Sequence, residues 1–559
     1  MKRLPVLVLL FVATVVVWPQ GAGVAQQRAA TAAAPVSSTR LPQVTAKSGM
    51  VASAHALASQ AGLDMLKAGG NAVDAAVAAA FAVGVVEPNA TGIGGEGVMV
   101  IYLAGPGKTI VIDYRSAAPK VTRYGSTVPG TGHAAAAVPG TVAGLVLAQQ
   151  KYGRLKLPAV VEPAVRLAER GFVVSSTLAG ALVDSFEEIA KYEPLAKIVC
   201  PGGLPLEAGG TLKNPDLAAS LRAIAAGGPD VFYRGAIADR IAAEMAAHGG
   251  FITKDDLASY RAIEREPVRG RYRGYDIVSA PPPVGGLSVV EILQILDQMS
   301  VAQAPHFSPL HIHLLAEAMK RGFADFSAFV GDPDFTTVPT TYLLSREYAA
   351  KRAAEIDPAR VSPTVAPAVI QRDEPPSTTS LSVVDRQGNM VALTQTISDF
   401  FGAKVVIEGT GILLNNEMKN FSARGPNVMA PGKRMRTTIA PTIVLRDGKP
   451  FATIGTPGGA RIISTMTLLL SNLIDYGMGV QEAIEAPRFY ARDTDKDLSI
   501  EARVSDATAK ALTDLGYSVK KLGEYDLFFG GAQGIVIDRR TGRRVGGADP
   551  RRDGAVVGY

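Results

Sequence analysis

The spacing of apolar positions changes character several times along the chain. From Leu4 to Trp18 nearly every residue is apolar, behind Lys2 and Arg3, with Pro5 and Pro19 bracketing the run and small residues Gly23 and Ala25 before Gln26. This is the layout of a secretory leader over residues 1–25; a spanning anchor would need about 20 apolar residues. Residues 26–43, rich in Ala, Thr and Pro, read as a mobile arm, and regular structure is expected from about Met50. Helical periodicity then covers His55–Lys67 and Ala72–Val83, separated by Gly69-Gly70 and opened by Asn71, an N-cap with Asp74 three residues on. Ala72 to Val86 is apolar except for Asp74, and its length suits a buried helix. Strand-like runs follow at Val98–Leu103 and Thr109–Tyr114, and Thr141–Ala354 reads as mostly helical, punctuated by Pro281-Pro282-Pro283 and Gly285-Gly286.

Between Pro358 and Pro376 five prolines exclude regular helix and interior strand, and beyond them the pattern turns to β-branched alternation. The C-terminal part predicts strand pairs, helices over Ile462–Asp475 and Ser505–Leu515, and strands ending at Gly547–Tyr559. Helices first, then strands and helices mixed, indicate α+β layers. Just past the proline-rich boundary, Ser377–Asp385 and Asn389–Thr396 form a hairpin turning at Gly388. A three-residue loop over Arg386–Gly388 puts Asp385 opposite Asn389 and Thr378 opposite Thr396, with Cβ atoms about 5 Å apart. Spacing alone leaves two meanings open, a reactive hydroxyl pair or an ordinary polar strand face.

Composition narrows the class. The 559 residues are 47% hydrophobic and 19% charged, a packed globular protein. Lys plus Arg is 57 against 51 for Asp plus Glu, a net charge of +6, or +4 without Lys2 and Arg3, spread without basic runs, so nucleic-acid binding gains no support. Cys200 is the only cysteine, which excludes an intrachain disulfide and a thiolate metal cluster. Gly92-Ile93-Gly94-Gly95-Glu96-Gly97 spells a dinucleotide fingerprint but stands between a helix and a strand, the reverse of the required context. Gly107-Lys108-Thr109 lacks the first glycine of a phosphate loop, that position being Tyr102. His311 and His313 point to different sides of a helix and cannot chelate one ion together. No cofactor or metal is called for. All six histidines precede Pro376, so a nucleophile in the C-terminal part needs a base other than histidine.

From about Met50 to Tyr559 the chain resembles the gamma-glutamyltransferase (gamma-glutamyltranspeptidase) family. The resemblance rests on Gly69–Ala76, Val138–Gly144, Leu315–Arg321, Gly331–Asp334, the Thr378 hairpin, Gly411–Asn416, Pro457–Gly459 and Asp549–Gly554. It implies an N-terminal-nucleophile hydrolase with an αββα sandwich, made as one precursor that cuts itself between Ser377 and Thr378. The products would be a large subunit, residues 26–377, and a small subunit, residues 378–559, associated as a heterodimer and secreted or periplasmic, without a membrane anchor. At a new N-terminus the α-amine, with a pKa of about 7.7 to 8.0, is the nearest base for the Thr378 hydroxyl. The resemblance further implies that Thr396 orients Thr378, that Gly458 and Gly459 form the oxyanion hole after a Phe451–Gly455 strand, and that Arg115 grips a substrate α-carboxylate. Taken alone, Arg115 reads as a surface arginine.

The chain departs from the family at the substrate end. Ser398 stands for asparagine, Glu417 for glutamine and Asn420 for aspartate, and Thr437 and Thr438 replace paired serines. Asn420 offers no full charge to an α-ammonium, Lys419 adds a positive one beside it, and Glu417 is placed to restore the carboxylate. Phe421–Lys433 is too short for the lid loop some members carry. Two substrate classes follow: γ-glutamyl amides such as glutathione, passed to water or an amino acid, or glutaryl-type amides, as in cephalosporin acylases. A third reading, of another class, is an unprocessed exported binding protein.

Overall fold

The computed structural model describes residues 41–123, 127–365, 377–492 and 496–559, all within one compact unit. The leader, most of the expected arm and the 366–376 part of the proline-rich stretch lie outside the described residues. Two antiparallel seven-stranded sheets stack face to face. The first runs Ala555–Gly558, Met50–Ser53, Thr379–Val384, Met390–Thr396, Glu96–Leu103, Lys108–Asp113, Ile263–Arg265. The second runs Val44–Ala46, Arg544–Ala548, Gln533–Ile537, Lys449–Gly455, Thr442–Arg446, Tyr275–Ser279, Val268–Tyr272. Strand alternation divides the core accordingly. Leu381, Val383, Val391 and Leu393 turn outward to the helix Ala72–Val86, whereas Val384, Met390 and Ala392 turn inward to Ile443, Ala452 and Ile454 of the second sheet. Helices Gly286–Asp297, Pro309–Phe329 and Arg461–Ile474 share the core of that second sheet, completing the αββα sandwich.

Local chemistry explains several boundaries. Asn71 and Asp74 form the expected capping box, and all fifteen residues of Ala72–Val86 are buried. Asp74 also accepts from Arg154 N at 2.8 Å and Leu155 N at 3.1 Å, so one buried carboxylate ties the start of the helix Ala72–Val86 to the loop that follows the helix Thr141–Tyr152. The Thr379–Val384 hairpin has the expected register, Thr379 opposite Gln395 and Val384 opposite Met390, with Gly388 at φ 84°, a value its turn requires and a side chain would oppose. One expectation is corrected. Structure begins before Met50, since Val44–Ala46 pairs with Arg544–Ala548. The stretch 141–354 is mostly helical, as expected, and within it Val268–Tyr272 and Tyr275–Ser279 are strands at the edge of the second sheet. Val268 and Tyr272 are buried while Arg269 and Arg271 between them are exposed, so the strand carries the two-residue alternation of a half-buried edge over only five residues.

Candidate active site

The hairpin register sets the centre of the site. Thr378, the residue before the strand, lies across from the last residue of the neighbouring strand, and its Oγ1 donates to Thr396 Oγ1 at 3.1 Å. Thr396 Oγ1 also accepts from Ser398 N at 2.8 Å, so that hydroxyl oxygen is held by a backbone donor from the turn that follows it. Thr378 has φ 84°, a left-handed conformation that a β-branched residue adopts only under strain, of order 1–3 kcal/mol. Ser377 is fully buried and its Oγ has no partner among the described residues.

Thr378, Thr396, Ser398, Glu417, Asn420, Thr437, Thr438 and Gly459 line one small pocket. The sequence had drawn those residues from four separate stretches. The turn at its floor runs from the strand Lys449–Gly455 through Thr456–Gly459 into the helix Arg461–Ile474, with Gly458 at φ 139° and Gly459 at φ 55°. Their carbonyls accept from Arg461 N at 3.1 Å and Ile462 N at 3.0 Å, and Thr438 Oγ1 donates to Gly459 O at 2.7 Å. The N–H groups of Gly458 and Gly459 have no protein acceptor among the described residues. Two free backbone donors at a helix N-terminus beside a hydroxyl can stabilise an oxyanion.

The other end of the pocket carries the charge. Asn420 Nδ2 donates to Glu417 Oε2 at 2.7 Å and to Ser398 Oγ at 3.0 Å, so the substituted residues form one hydrogen-bonded group. Lys419 does not add a free charge, contrary to expectation: its Nζ lies 2.5 Å from Asp399 Oδ1, and Asn416 holds that carboxylate at 2.9 Å. Glu417 is therefore the carboxylate of the pocket lining. Nor is Arg115 a surface residue. It is 0% exposed, behind the lining, and its Nε pairs with Glu96 at 2.5 Å. Burial pulls its pKa down, but Glu96 and Glu417 outweigh it, so Arg115 stays a cation. Its Nη1 and Nη2 are buried with no hydrogen-bond partner among the described residues. Two unsatisfied donors of a cation mark a place where an anionic oxygen would bind well. The short stretch Phe421–Lys433 is pinned by Asn427, which donates to Asn420 O at 2.8 Å and accepts from Arg436 N at 2.7 Å.

One group was not singled out from the sequence. Arg552 reaches back from the C-terminal motif to donate through Nη1 to Thr378 O at 2.7 Å and through Nη2 to Ser377 O at 3.4 Å. Beside it, Glu87 accepts from Thr379 Oγ1 at 2.6 Å. Burial pushes the Glu87 carboxyl up to about 7, against the pull of Arg552 and of the Thr379 bond. The Asp549–Gly554 motif was visible, but nothing in its spacing pointed to the Ser377 carbonyl.

The histidines take other places. His313 is held between Tyr517 Oη at 2.9 Å and Asp357 O at 2.8 Å, apart from His311, whose Nδ1 accepts from Phe307 N at 3.0 Å. His133, Glu244 and His248 bring one ligand atom each within 4.8 Å of one another. The two imidazoles are stacked, with planes 14° apart and centroids at 4.6 Å, so their in-plane lone pairs run parallel and do not converge on one ion. The Gly92–Gly97 run follows the helix Ala72–Val86 and its last two residues open the strand Glu96–Leu103, the helix-to-strand order read from the sequence.

Two stacked antiparallel sheets between helical layers, with a threonine hydroxyl at the start of a central strand, define an N-terminal-nucleophile hydrolase fold. Comparison with known proteins agrees and goes further. The gamma-glutamyltranspeptidase family model matches residues 58–559, and the chain belongs to that family. A glutathione hydrolase proenzyme of Escherichia coli (strain K12) is 42% identical over 543 residues, covering 92% of this chain and 93% of the relative. An "Acylase ACY 1 proenzyme" of Pseudomonas sp. (strain SE83) is 39% identical, covering 91% and 93%. The solved cephalosporin acylase from Bacillus halodurans superposes with a TM-score of 0.86 at 34% identity, covering 93% of this chain and 97% of that one.

Proposed function

We propose that this protein is a self-cleaving gamma-glutamyltransferase and glutathione hydrolase. Its Thr378 hydroxyl, freed beside its own α-amine by cleavage after Ser377, takes the γ-glutamyl group as an ester and passes it to water or an amino acid. The observation that carries the reading is the Thr378–Thr396 hydroxyl pair, 3.1 Å apart, opening on a pocket that also holds Gly459 and Glu417. In this scheme Thr396 polarises the nucleophile and the N–H groups of Gly458 and Gly459 take the tetrahedral oxyanion. Arg115 supplies the anchor for an α-carboxylate, and Glu417 meets the α-ammonium, with Asn420, Ser398, Thr437 and Thr438 shaping the cavity. The curated relatives named proenzymes support a precursor, and a heterodimer of residues 26–377 and 378–559 follows from it. Both portions contribute strands to each sheet, so the two chains would stay together after the cut. Among the described residues no helix is long and apolar enough to cross a membrane; export rests on the leader at residues 1–25.

A second reading has its own support. Asn420 carries no charge, and the acylase relative and the cephalosporin acylase structure resemble this chain over more than nine-tenths of its length. Glutaryl amides, which lack the α-amine, are the alternative substrates. Steady-state turnover of γ-glutamyl and glutaryl anilides by one preparation decides: the Glu417 carboxylate favours the γ-glutamyl compound in kcat/KM, and a clear glutaryl preference would overturn the choice.

A further inference from the structure

The cut itself has a different electrostatic requirement from the later turnover. Attack of Thr378 Oγ on the Ser377 carbonyl carbon forms a C–O bond and pushes the carbonyl pair onto the Ser377 oxygen. The hydroxyl proton is relayed through Thr396 Oγ to the departing Thr378 nitrogen as the C–N bond breaks, leaving an ester. Water then opens the ester, its oxygen staying on Ser377 as a carboxylate, one of its hydrogens returning to Thr378 Oγ and the other leaving as a proton by way of the newly freed α-amine to solvent. The negative charge of this first step appears on the Ser377 carbonyl, upstream of the nucleophile.

Resting on the self-cleavage reading above, we propose that Arg552 is the oxyanion donor of the self-cleavage step, a catalytic residue for processing. Its guanidinium bridges the carbonyls on either side of Thr378, with a full hydrogen bond to Thr378 O at 2.7 Å and a long one to Ser377 O at 3.4 Å. A donor that is slack in the ground state and tightens as charge develops stabilises the transition state selectively. An arginine is suited to this because it cannot lose its proton and because two of its donors lie in one plane. The surroundings hold it there. Its stem passes Gly531, where an added Cβ would fall 2.6 Å from Arg552 Cδ, and the Glu87 carboxyl is near enough for the two charges to interact. Thr379, next to the nucleophile, donates to Glu87 at 2.6 Å, so Glu87 is a positioning residue linking the guanidinium to the strand it serves. The left-handed Thr378 backbone adds strain that is released when the C–N bond breaks.

The test is the rate at which purified precursor converts to two chains, followed by denaturing electrophoresis for wild type, Arg552→Ala and Arg552→Lys. Losing one oxyanion donor is worth about 10²–10³ in rate, so Arg552→Ala should accumulate as a folded precursor and be accelerated by added guanidinium ion. Arg552→Lys, which reaches one carbonyl at a time, should cut at least tenfold more slowly than wild type, and it decides alone if Arg552→Ala does not fold. Conversion of either folded variant within about threefold of wild type overturns the assignment, as does a folded Arg552→Ala precursor that guanidinium leaves unchanged. If wild type itself never divides, the self-cleavage reading falls; if wild type divides and the variants keep pace, only the role of Arg552 does.

Discussion

Replacing Thr396 by valine is the sharpest perturbation of the reaction centre. Valine keeps the β-branched shape at this nearly buried strand end, so cross-strand packing is preserved while one oxygen is removed. Two bonds go with it, the 3.1 Å contact that holds Thr378 Oγ1 and the 2.8 Å bond from Ser398 N. A hydrogen bond to an oxygen gaining charge is worth about 1.5–3 kcal/mol, and each 1.36 kcal/mol is tenfold in rate, so kcat should fall about 10- to 150-fold. KM should move little, because Thr396 touches Thr378, the proposed nucleophile, and not the end of the substrate that Glu417 and Arg115 are proposed to hold. The assay is release of anilide from a γ-glutamyl anilide by processed enzyme, with active-site titration to correct for precursor. Thr396→Ser supplies the control: it keeps the hydroxyl and should retain kcat within a few-fold. A Thr396→Val enzyme with kcat within twofold of wild type would refute the proposed polarisation of Thr378 by the Thr396 hydroxyl.

Other expectations follow from the same geometry. Glu417→Gln should raise KM for the γ-glutamyl anilide by about tenfold or more, the weight of a charged hydrogen bond, and leave glutaryl turnover unchanged or improved; equal effects on both substrates would remove Glu417 from ammonium recognition. Glu87, with its carboxyl pushed up to about 7 by burial, keeps its proton in the fold where the unfolded chain has lost it. Its contribution to stability is therefore present at acid pH and is lost as pH rises from about 4.5 to 7, on the order of 3 kcal/mol. Urea unfolding of Glu87→Gln at pH 5 and pH 8 should show a correspondingly smaller decline than wild type, and an identical decline would contradict the shift. Asn71→Ala removes a capping box whose first donors are buried, and should lower stability by about 1–2 kcal/mol with unchanged kcat, measured by thermal unfolding and steady-state kinetics on the same sample.

What the sequence disclosed was governed by short-range rules. The two-residue period of a strand and a glycine at the turn fix which residues face each other, so the Thr378–Thr396 pair follows from counting. The Asn71 cap and the strand–turn–helix at Gly458-Gly459 are equally local. What stayed hidden depends on contacts across long sequence separations. Lys419 is neutralised by Asp399, twenty residues earlier, and Arg115 is buried by pairing with Glu96 from the adjacent strand. Arg552 meets the Ser377 carbonyl across 175 residues, and nothing in an arginine's neighbours in sequence announces which carbonyl it will reach.

The central claim, that one peptide bond must open to free the amine that activates the hydroxyl, is tested most directly by mass spectrometry and N-terminal sequencing of purified, catalytically active protein. Two chains are expected, the smaller beginning at Thr378, with Thr378→Ala yielding one undivided, inactive chain. Active material that remains a single polypeptide, or whose smaller chain begins at another residue, would contradict the account.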